Sequence, residues 1–404
     1  MNRPEKSSQI MPPAGEFDRK DVETSSAVAK GLKRVLLFRP TMGEGGADRV
    51  TITLLRHLDR EKFQLSLVLV KLDGVLLDQV PEDVPVIDLG VSRLRFSWLR
   101  LASILRRERP DILLSTSSGG NLVAALAHAI APDPNRGLVL SERNTFSAVR
   151  RERRPRWLPV VEVTRRLYRR ANRIIAVSEG VARDLVESLD LPEGLVTAIH
   201  NPVVDEDLYE MAEESVDHPW LAEEQPVLLS VGRLVPQKDY TVLLRAFSRI
   251  RKKRRIRLIV LGEGTERRRL ERYAQNLGVQ HDVDFPGFLK NPFPFMRRCT
   301  VYVLSSRFEG LPGALIQAMA CGAPVVSTDC PSGPSEIIDS GSSGFLVPVG
   351  DAEKLAASIE SLLDNPALRR SFSEAGRKAA AEFRVPPMIR HYEETLLSSI
   401  ADAR

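Results

Sequence analysis

Short, uninterrupted apolar runs alternate with amphipathic stretches along most of this chain, and that rhythm constrains its fold more than any other feature. KRVLLFRP (33–40) leads through the glycine-rich TMGEGGADR into VTITLLRHL, whose apolar spacing is helical. FQLSLVLVKL and VPVIDLG then read as strands. RFSWLRLASILRRERP reads as a helix with Phe96, Leu99, Ile104 and Leu105 among its apolar positions. DILLSTSS, NLVAALAHAI and GLVLSERN continue as strand, helix and strand, and RIIAVSEGVARDLVESL as a strand and a helix capped by Ser178. Runs without polar alternation suit strands covered on both faces, which is the parallel sheet of an α/β fold.

A second set of the same kind starts at Pro226 with VLLSVGRL and runs through IRLIVLGEG and VYVLSS into the long stretch Leu304 to Gly344. Between the sets, MAEESVDHPWLAEEQ is polar, acidic and without a clear period. A chain of 404 residues accommodates two domains. The expected architecture is therefore α/β, with two Rossmann-like domains facing a cleft. Residues 33–210 form the first domain, 211–225 a linker and 226–384 the second domain. Residues 352 to 381 read as helical. Pro386 and Pro387 are expected to interrupt before a last helix, in a segment (385–404) that crosses back to the first domain. Residues 1–32, rich in Pro, Ser, Glu and Lys, are expected to be a disordered tail and not a secretory signal.

A net charge of +5 and a pI near 9.1 are compatible with a phosphorylated ligand, an anionic membrane or nucleic acid. Aromatics at 6% and the lack of a nucleic-acid motif argue against the last. Cys299, Cys321 and Cys330 form no CxxC pair and have no histidine at ligand spacing, so neither a disulfide framework nor a zinc site is expected. That usage suits a reducing, cytoplasmic setting. No run of about 18 apolar residues occurs. Arg150 to Arg173 interleaves arginines with Trp157, Leu158, Val160, Val161, Leu167 and Tyr168. Such a segment lies on an anionic membrane or is an ordinary helix with a solvated basic face.

The ligand-like residues fall where strands end. Gly43, Gly45 and Gly46 follow the first strand, and Ser141, Glu142, Arg143 and Asn144 end another. Arg233 and Lys238 straddle the turn after SVGRL and are placed to converge on one anion. Gly262 and Gly264 flank Glu263, either for close ligand approach or as a tight βα turn. Glu309 precedes a helix that starts near Pro312, so the amides of Gly310, Leu311 and Gly313 would face an anion or a polar sugar. Glu309 itself would accept hydrogen bonds from sugar hydroxyls, stabilise positive charge at an anomeric carbon, or merely complement the helix dipole. His200 in the turn HNP reads as structural.

In order, GGADRV (45–50), SERN (141–144), HNPV (200–203), GRLVPQKD (232–239), GEG (262–264), FPG (285–287) and SRFEGLPGALIQAMACGAPVVSTDCPSGPSEII (306–338) resemble the retaining GT-B glycosyltransferases of family four. The similarity covers nearly the whole chain after the tail, and is nearest to bacterial enzymes that build lipid-linked saccharides and capsules. It implies transfer of a hexosyl or N-acetylhexosaminyl unit from a nucleotide sugar, expected to be a UDP-sugar, to a lipid-linked or cell-surface glycan with retention. It implies that Arg233 and Lys238 neutralise the donor diphosphate without a metal or other cofactor, and that Glu309 contacts the donor sugar. Gly45, Gly46 and Gly310 to Gly313 would close on sugar and phosphate, and Pro286, Gly287 and Phe288 would lie near the base. The chain would then be cytoplasmic and peripheral on the membrane. Two positions depart from the family pattern. Gln317 stands where a second glutamate usually receives the ribose hydroxyls, and the loop SERNTF lacks the histidine of many relatives, leaving Arg143 or Asn144 for acceptor or donor. Gln317 also keeps open a non-catalytic partner subunit that binds sugar nucleotide. A nucleotide-sugar epimerase and a glycogen-synthase-like polymerase on the same fold are the remaining enzyme alternatives.

Overall fold

The computed structural model describes residues 31–152 and 158–401. The expected tail (1–32) lies almost wholly outside the described residues, as do 153–157 of the basic segment.

The first seven strands are β1 (Lys33–Arg39), β2 (Phe63–Leu69), β3 (Val86–Asp88), β4 (Ile112–Ser115), β5 (Gly137–Glu142), β6 (Arg173–Ala176) and β7 (Val196–Ala198). They form one parallel sheet in the order β3-β2-β1-β4-β5-β6-β7. A second parallel sheet has the order β10-β9-β8-β11-β12-β13. Its strands are β8 (Val227–Val231), β9 (Arg257–Leu261), β10 (Val283–Gly287), β11 (Val301–Leu304), β12 (Val325–Thr328) and β13 (Phe345–Val347). Each order reverses at one point, between β1 and β4 and between β8 and β11. A cleft at the carboxyl ends of parallel strands opens at such a point.

The helices of the first half are α1 (Gly46–His57), α2 (Trp98–Glu108), α3 (Ser118–Ile130), α4 (Phe146–Glu152), α5 (Leu158–Tyr168), α6 (Glu179–Leu189), α7 (Asp207–Glu213) and α8 (Pro219–Ala222). Those that follow are α9 (Tyr240–Arg251), α10 (Arg267–Asn276), α11 (Phe293–Arg298), α12 (Gly313–Ala320), α13 (Pro334–Ile337), α14 (Ala352–Asp364), α15 (Pro366–Ala380) and α16 (Val385–Ala401). Leu36, Leu37 and Phe38 of β1 are all fully buried, because helices cover both faces of the sheet. One face packs Val181, Leu185, Leu101 and Leu105. The other packs Leu54 and Leu55 of α1 with Ile389, Tyr392 and Leu396 of α16.

The segment 211–225 is not a featureless linker. It contains the end of α7, whose Leu208 and Ala212 are buried, and the single turn α8. Elements of one or two turns are too short to display a period. Pro386 and Pro387 do not interrupt a helix: they lie in the first turn of α16. There the backbone N–H groups lack intrahelical acceptors, so proline removes no bond. Residues 352 to 381 divide at Asn365, whose side chain accepts from Leu368 N at 3.0 Å to open α15.

The chain passes between the halves twice, and the two passages lie side by side. Val204 N donates to Phe383 O at 3.1 Å and Val385 N to Val204 O at 3.1 Å. Beyond them α16 packs on α1, β4 and β5. Its buried Glu393 accepts from Asp59 N at 3.0 Å and Lys62 Nζ at 2.8 Å.

Candidate active site

A cleft of about 300 Å³ lies between the two sheets at their switch points. Its second-domain wall is built on two loops that hold each other. After β8, Pro236–Lys238 forms a 3-10 turn ended by Asp239 in the left-handed conformation (φ 42°). Gln237 Nε2 donates to Phe308 O at 2.9 Å, and Arg307 N donates to Gln237 O at 2.8 Å. This brings Lys238 Nζ to 2.6 Å from Glu309 Oε1, which also accepts from Ser306 Oγ at 2.6 Å. Glu309 is only 6% exposed, so the pair is largely desolvated and each group depends on the other. Arg233 also lines the cleft, and its side chain has no hydrogen-bond or ion-pair partner among the described residues. Beneath this wall, burial with Glu309 alongside pushes the Cys330 thiol up to about 12.

The first-domain wall starts at the end of β1. Buried Arg39 is paired with Asp48 and donates Nη1 to Thr116 O at 2.8 Å. Asp48 in turn accepts from Gly45 N at 3.0 Å, which fixes the turn carrying Gly45 and Gly46 into the cleft. Burial lowers the Arg39 pKa, against the raising effect of Asp48. Arg49, one turn into α1, crosses the cleft. It donates to Lys290 O at 2.9 Å, and its guanidinium stands 5.8 Å from the Phe288 ring centroid.

The loop after β5 divides its residues between two tasks. Ser141 and Glu142 are buried beneath the site. Burial raises the Glu142 carboxyl despite hydrogen bonds from Ser118, Tyr168, Arg143 N and Asn121. Arg143 and Asn144 line the cleft. Arg143 is paired with Asn201 through Nη1, while its Nε and Nη2 are buried without partners. Thr145 Oγ1, next along, donates to Glu309 O at 2.7 Å.

The halves also meet behind Glu309. Ser178 Oγ donates to Gly310 O at 2.9 Å, and the Glu336 carboxylate receives Glu179 N at 2.9 Å and Gly180 N at 2.8 Å, the first amides of α6. A Cβ on Gly310 would stand 2.2 Å from Arg143 O, so only glycine permits this approach.

Glu309, Arg233, Lys238, Gly45, Gly46, Gly262, Glu263, Phe288, Gly310, Leu311, Pro312, Gly313, Gln317, Arg143 and Asn144 thus share one cavity. Gly264, Pro286 and Gly287 do not line it. The glycines after β9 answer to the backbone: a Cβ would meet Gly232 O at 2.1 Å from Gly262 (φ 135°) and Leu234 O at 2.3 Å from Gly264. Gly264 thus answers to the turn, while Gly262 both serves the turn and lines the cleft. Gln317 Nε2 lies 3.4 Å from Val203 O of the first domain, a long bond. Sequence reading missed Arg39, Arg49, Gln237, Thr145, Ser178 and Glu336. Of these, Arg39, Arg49, Gln237 and Glu336 had a signal, since each sits at a strand end or inside a matched motif. His200 stands 3.6 Å from Glu336 and packs on the Phe383 ring. Among the described residues no group of three or more His, Cys, Asp or Glu is arranged to hold a metal ion, and no helix is long and apolar enough to cross a membrane.

Residues 44–207 match the family model Glycosyltransferase Family 4, and 212–379 match Glycosyl transferases group 1. The chain is 27% identical over 364 residues to a Campylobacter jejuni protein, covering 87% of this chain and 96% of that one. That protein is an N-acetylgalactosamine-N,N'-diacetylbacillosaminyl-diphospho-undecaprenol 4-alpha-N-acetylgalactosaminyltransferase. The present chain is 24% identical over 367 residues to the amylovoran biosynthesis glycosyltransferase AmsD of Erwinia amylovora, covering 90% of this chain and 99% of that one. Among solved structures, HepE of Anabaena in complex with UDP-glucose superposes with a TM-score of 0.78 at 22% identity, covering 90% of this chain and 99% of that one. Sucrose-phosphate synthase of Thermosynechococcus elongatus gives 0.76 at 18%, covering 90% and 98%.

Proposed function

For a chain that belongs to the GT-B glycosyltransferases through both of its halves, we propose transfer of a hexosyl or N-acetylhexosaminyl unit from a UDP-sugar to a hydroxyl of a lipid-linked or cell-surface glycan, with retention of configuration. The observation that carries this reading is the grouping of Arg233, Lys238 and Glu309 on one wall of the interdomain cleft, beside the amino end of α12. The Campylobacter and Erwinia relatives, and the UDP-glucose complex of HepE, support it.

In this reading the donor diphosphate opens the Lys238–Glu309 pair. Lys238 turns to the phosphates and joins Arg233, and the amides of Gly313 and Ala314 add partial positive charge. Glu309 is then free to receive a sugar hydroxyl and to face the positive charge that grows at the anomeric carbon. The acceptor oxygen attacks from the face that the diphosphate leaves. The anomeric C–O bond to phosphate breaks, the new C–O bond forms, and the acceptor proton passes to the departing phosphate oxygen. Gln317 receives ribose hydroxyls through its carbonyl, and Arg143 or Asn144 meets acceptor or donor. The cations of the cleft carry the leaving charge in this scheme, with no metal assigned. The protein works at the inner membrane face without spanning it.

The test is nucleotide release from a panel of UDP- and GDP-sugars, with and without lipid-linked acceptors. Acceptor-dependent release that is lost in Glu309→Ala and Lys238→Ala supports the reading. Tight nucleotide binding without turnover on any acceptor supports instead a non-catalytic binding subunit, the alternative that Gln317 favours.

A further inference from the structure

We infer that the corner of the first domain formed by Arg93, Arg95, Phe96, Leu99 and Arg100 is the surface by which this protein lies on an anionic lipid bilayer. Leu99 and Phe96 are 58% and 56% exposed, the highest values for large apolar side chains among the described residues. They are three positions apart, where the 3-10 turn Leu94–Phe96 runs into α2, and Ser97 between them is buried. Both apolar side chains therefore point outward from the same corner.

The charged residues of this stretch have one sign. Arg93, Arg95 and Arg100 are exposed, and none is ion-paired with an acid among the described residues. Arg95 lies over the Phe96 ring at 4.8 Å, and Arg100 Nη1 donates to Leu89 O at 2.5 Å. No Asp or Glu occurs from 89 to 107. Exposed apolar groups ringed by arginines, whose stems reach outward while the heads stay wet, fit the boundary between headgroups and acyl chains.

Within the basic segment that the sequence singled out, the described arginines at 165, 166 and 169 are less suited. Arg166 pairs with Glu162 at 2.9 Å, Arg169 with Asp190 at 2.7 Å, and Arg165 with both acids. These arginines also end α5, which runs away from the carboxyl edge of the sheet. The 93–100 corner follows β3 on that edge, and a Cβ on Gly119 at the start of α3 would touch Leu94 at 3.0 Å. A bilayer on this corner lies along the same carboxyl edge of the sheet as the cleft, the edge that a lipid-linked acceptor must reach. That last step rests on the acceptor class proposed above; the lipid contact itself does not.

The test is flotation with phosphatidylglycerol–phosphatidylcholine vesicles against phosphatidylcholine alone. Binding should need the anionic lipid. The double variant Arg93→Ala/Arg95→Ala should lower partitioning roughly 30-fold. Phe96→Ser/Leu99→Ser should lower it too, and Arg165→Glu/Arg166→Glu should leave it unchanged. All are surface changes, so an unaltered thermal transition shows that each variant is folded. The inference is overturned if the first two variants float like the unmodified protein, or if the α5 variant alone loses binding. It is equally overturned by self-association that Phe96→Ser/Leu99→Ser abolishes while no vesicle binding is seen. Nucleotide release with a water-soluble acceptor, on the same samples, separates the two readings. A protein that floats as expected but turns over no acceptor supports the lipid surface and removes the transferase.

Discussion

Thr145 of the first domain donates its hydroxyl hydrogen to the backbone carbonyl of Glu309 in the second, at 2.7 Å and out of solvent. The carboxylate proposed to meet the sugar is thus positioned by the opposite half. Ser332 N also reaches this carbonyl, at 3.1 Å, so its loss of one donor leaves it partly satisfied. Thr145→Val is expected to lower kcat about fivefold to tenfold with little change in donor KM, an effect of about 1 kcal/mol for one buried hydrogen bond. Thr145→Ser should restore it. Steady-state kinetics with separate donor and acceptor titrations check this.

Lys238→Met leaves the Glu309 carboxylate buried with Ser306 as its remaining side-chain donor. Removal of one partner from a buried pair costs about 3 kcal/mol. The double variant Lys238→Met/Glu309→Gln should recover a good part of that loss. Denaturant unfolding of both single variants and the double variant forms the cycle that measures the coupling. Additive losses would deny it.

Gly310→Ala sets a methyl group against Arg143 O, 2.2 Å from an unshifted backbone. Arg143 O is backbone, and Val177 Cγ2 at 2.9 Å belongs to a stiff β-branched side chain, so the halves must part. Small-angle scattering should show a larger radius of gyration, and activity should fall by more than tenfold. Gly46→Ala is the control for the scattering readout alone, since nothing lies within 4 Å of its added carbon.

Gln317→Glu is expected to bind UDP about tenfold more tightly, because ionised acceptors make hydrogen bonds roughly twice as strong. Little is lost in exchange, as the bond to Val203 O is long at 3.4 Å. Calorimetric titration with UDP measures the change, and weaker binding would argue against a ribose contact at this position.

His128, on α3, is held down to about 4 from an ordinary 6.5 by burial and by the neighbouring Arg136. Its Nδ1 is buried without a partner. In that interval the unfolded chain binds a proton that the folded chain does not. Stability is therefore full above about pH 6.5 and falls as the pH drops toward 4, by about 3 kcal/mol. Chemical unfolding across that range should show a shallower slope in His128→Leu, which cannot take up the proton.

The fold class was readable because β1, β4 and β5 are covered on both faces, and such strands appear as unbroken apolar runs in the sequence. The cavity residues that sit inside motifs were readable for a related reason: βα turns at strand ends face the cleft. Contacts between distant parts of the chain left no local trace. Asp190 pairs with Arg165 of α5 and with Arg169 just beyond it, across a strand and a helix, and Thr145 and Glu336 join halves that are far apart in sequence. Glycine was the least legible residue. Gly46 and Gly264 look alike in sequence. Only the backbone conformation, and the carbonyl lying where a side chain would be, show that the second serves the turn.

The paired passages at Val204 and Arg384 determine how the two halves move. The second domain is an insertion, entered and left through adjacent backbone segments joined by hydrogen bonds. Two tethers fastened at one point permit rotation about an axis through that point and resist sliding or separation. Opening therefore resembles a jaw. Away from that point the halves are also bridged by Arg49 to Lys290 O and by Ser178 to Gly310 O. Where Arg49 holds Lys290 O, Lys290 Nζ also pairs with Asp78, so widening the gap on that side breaks both contacts.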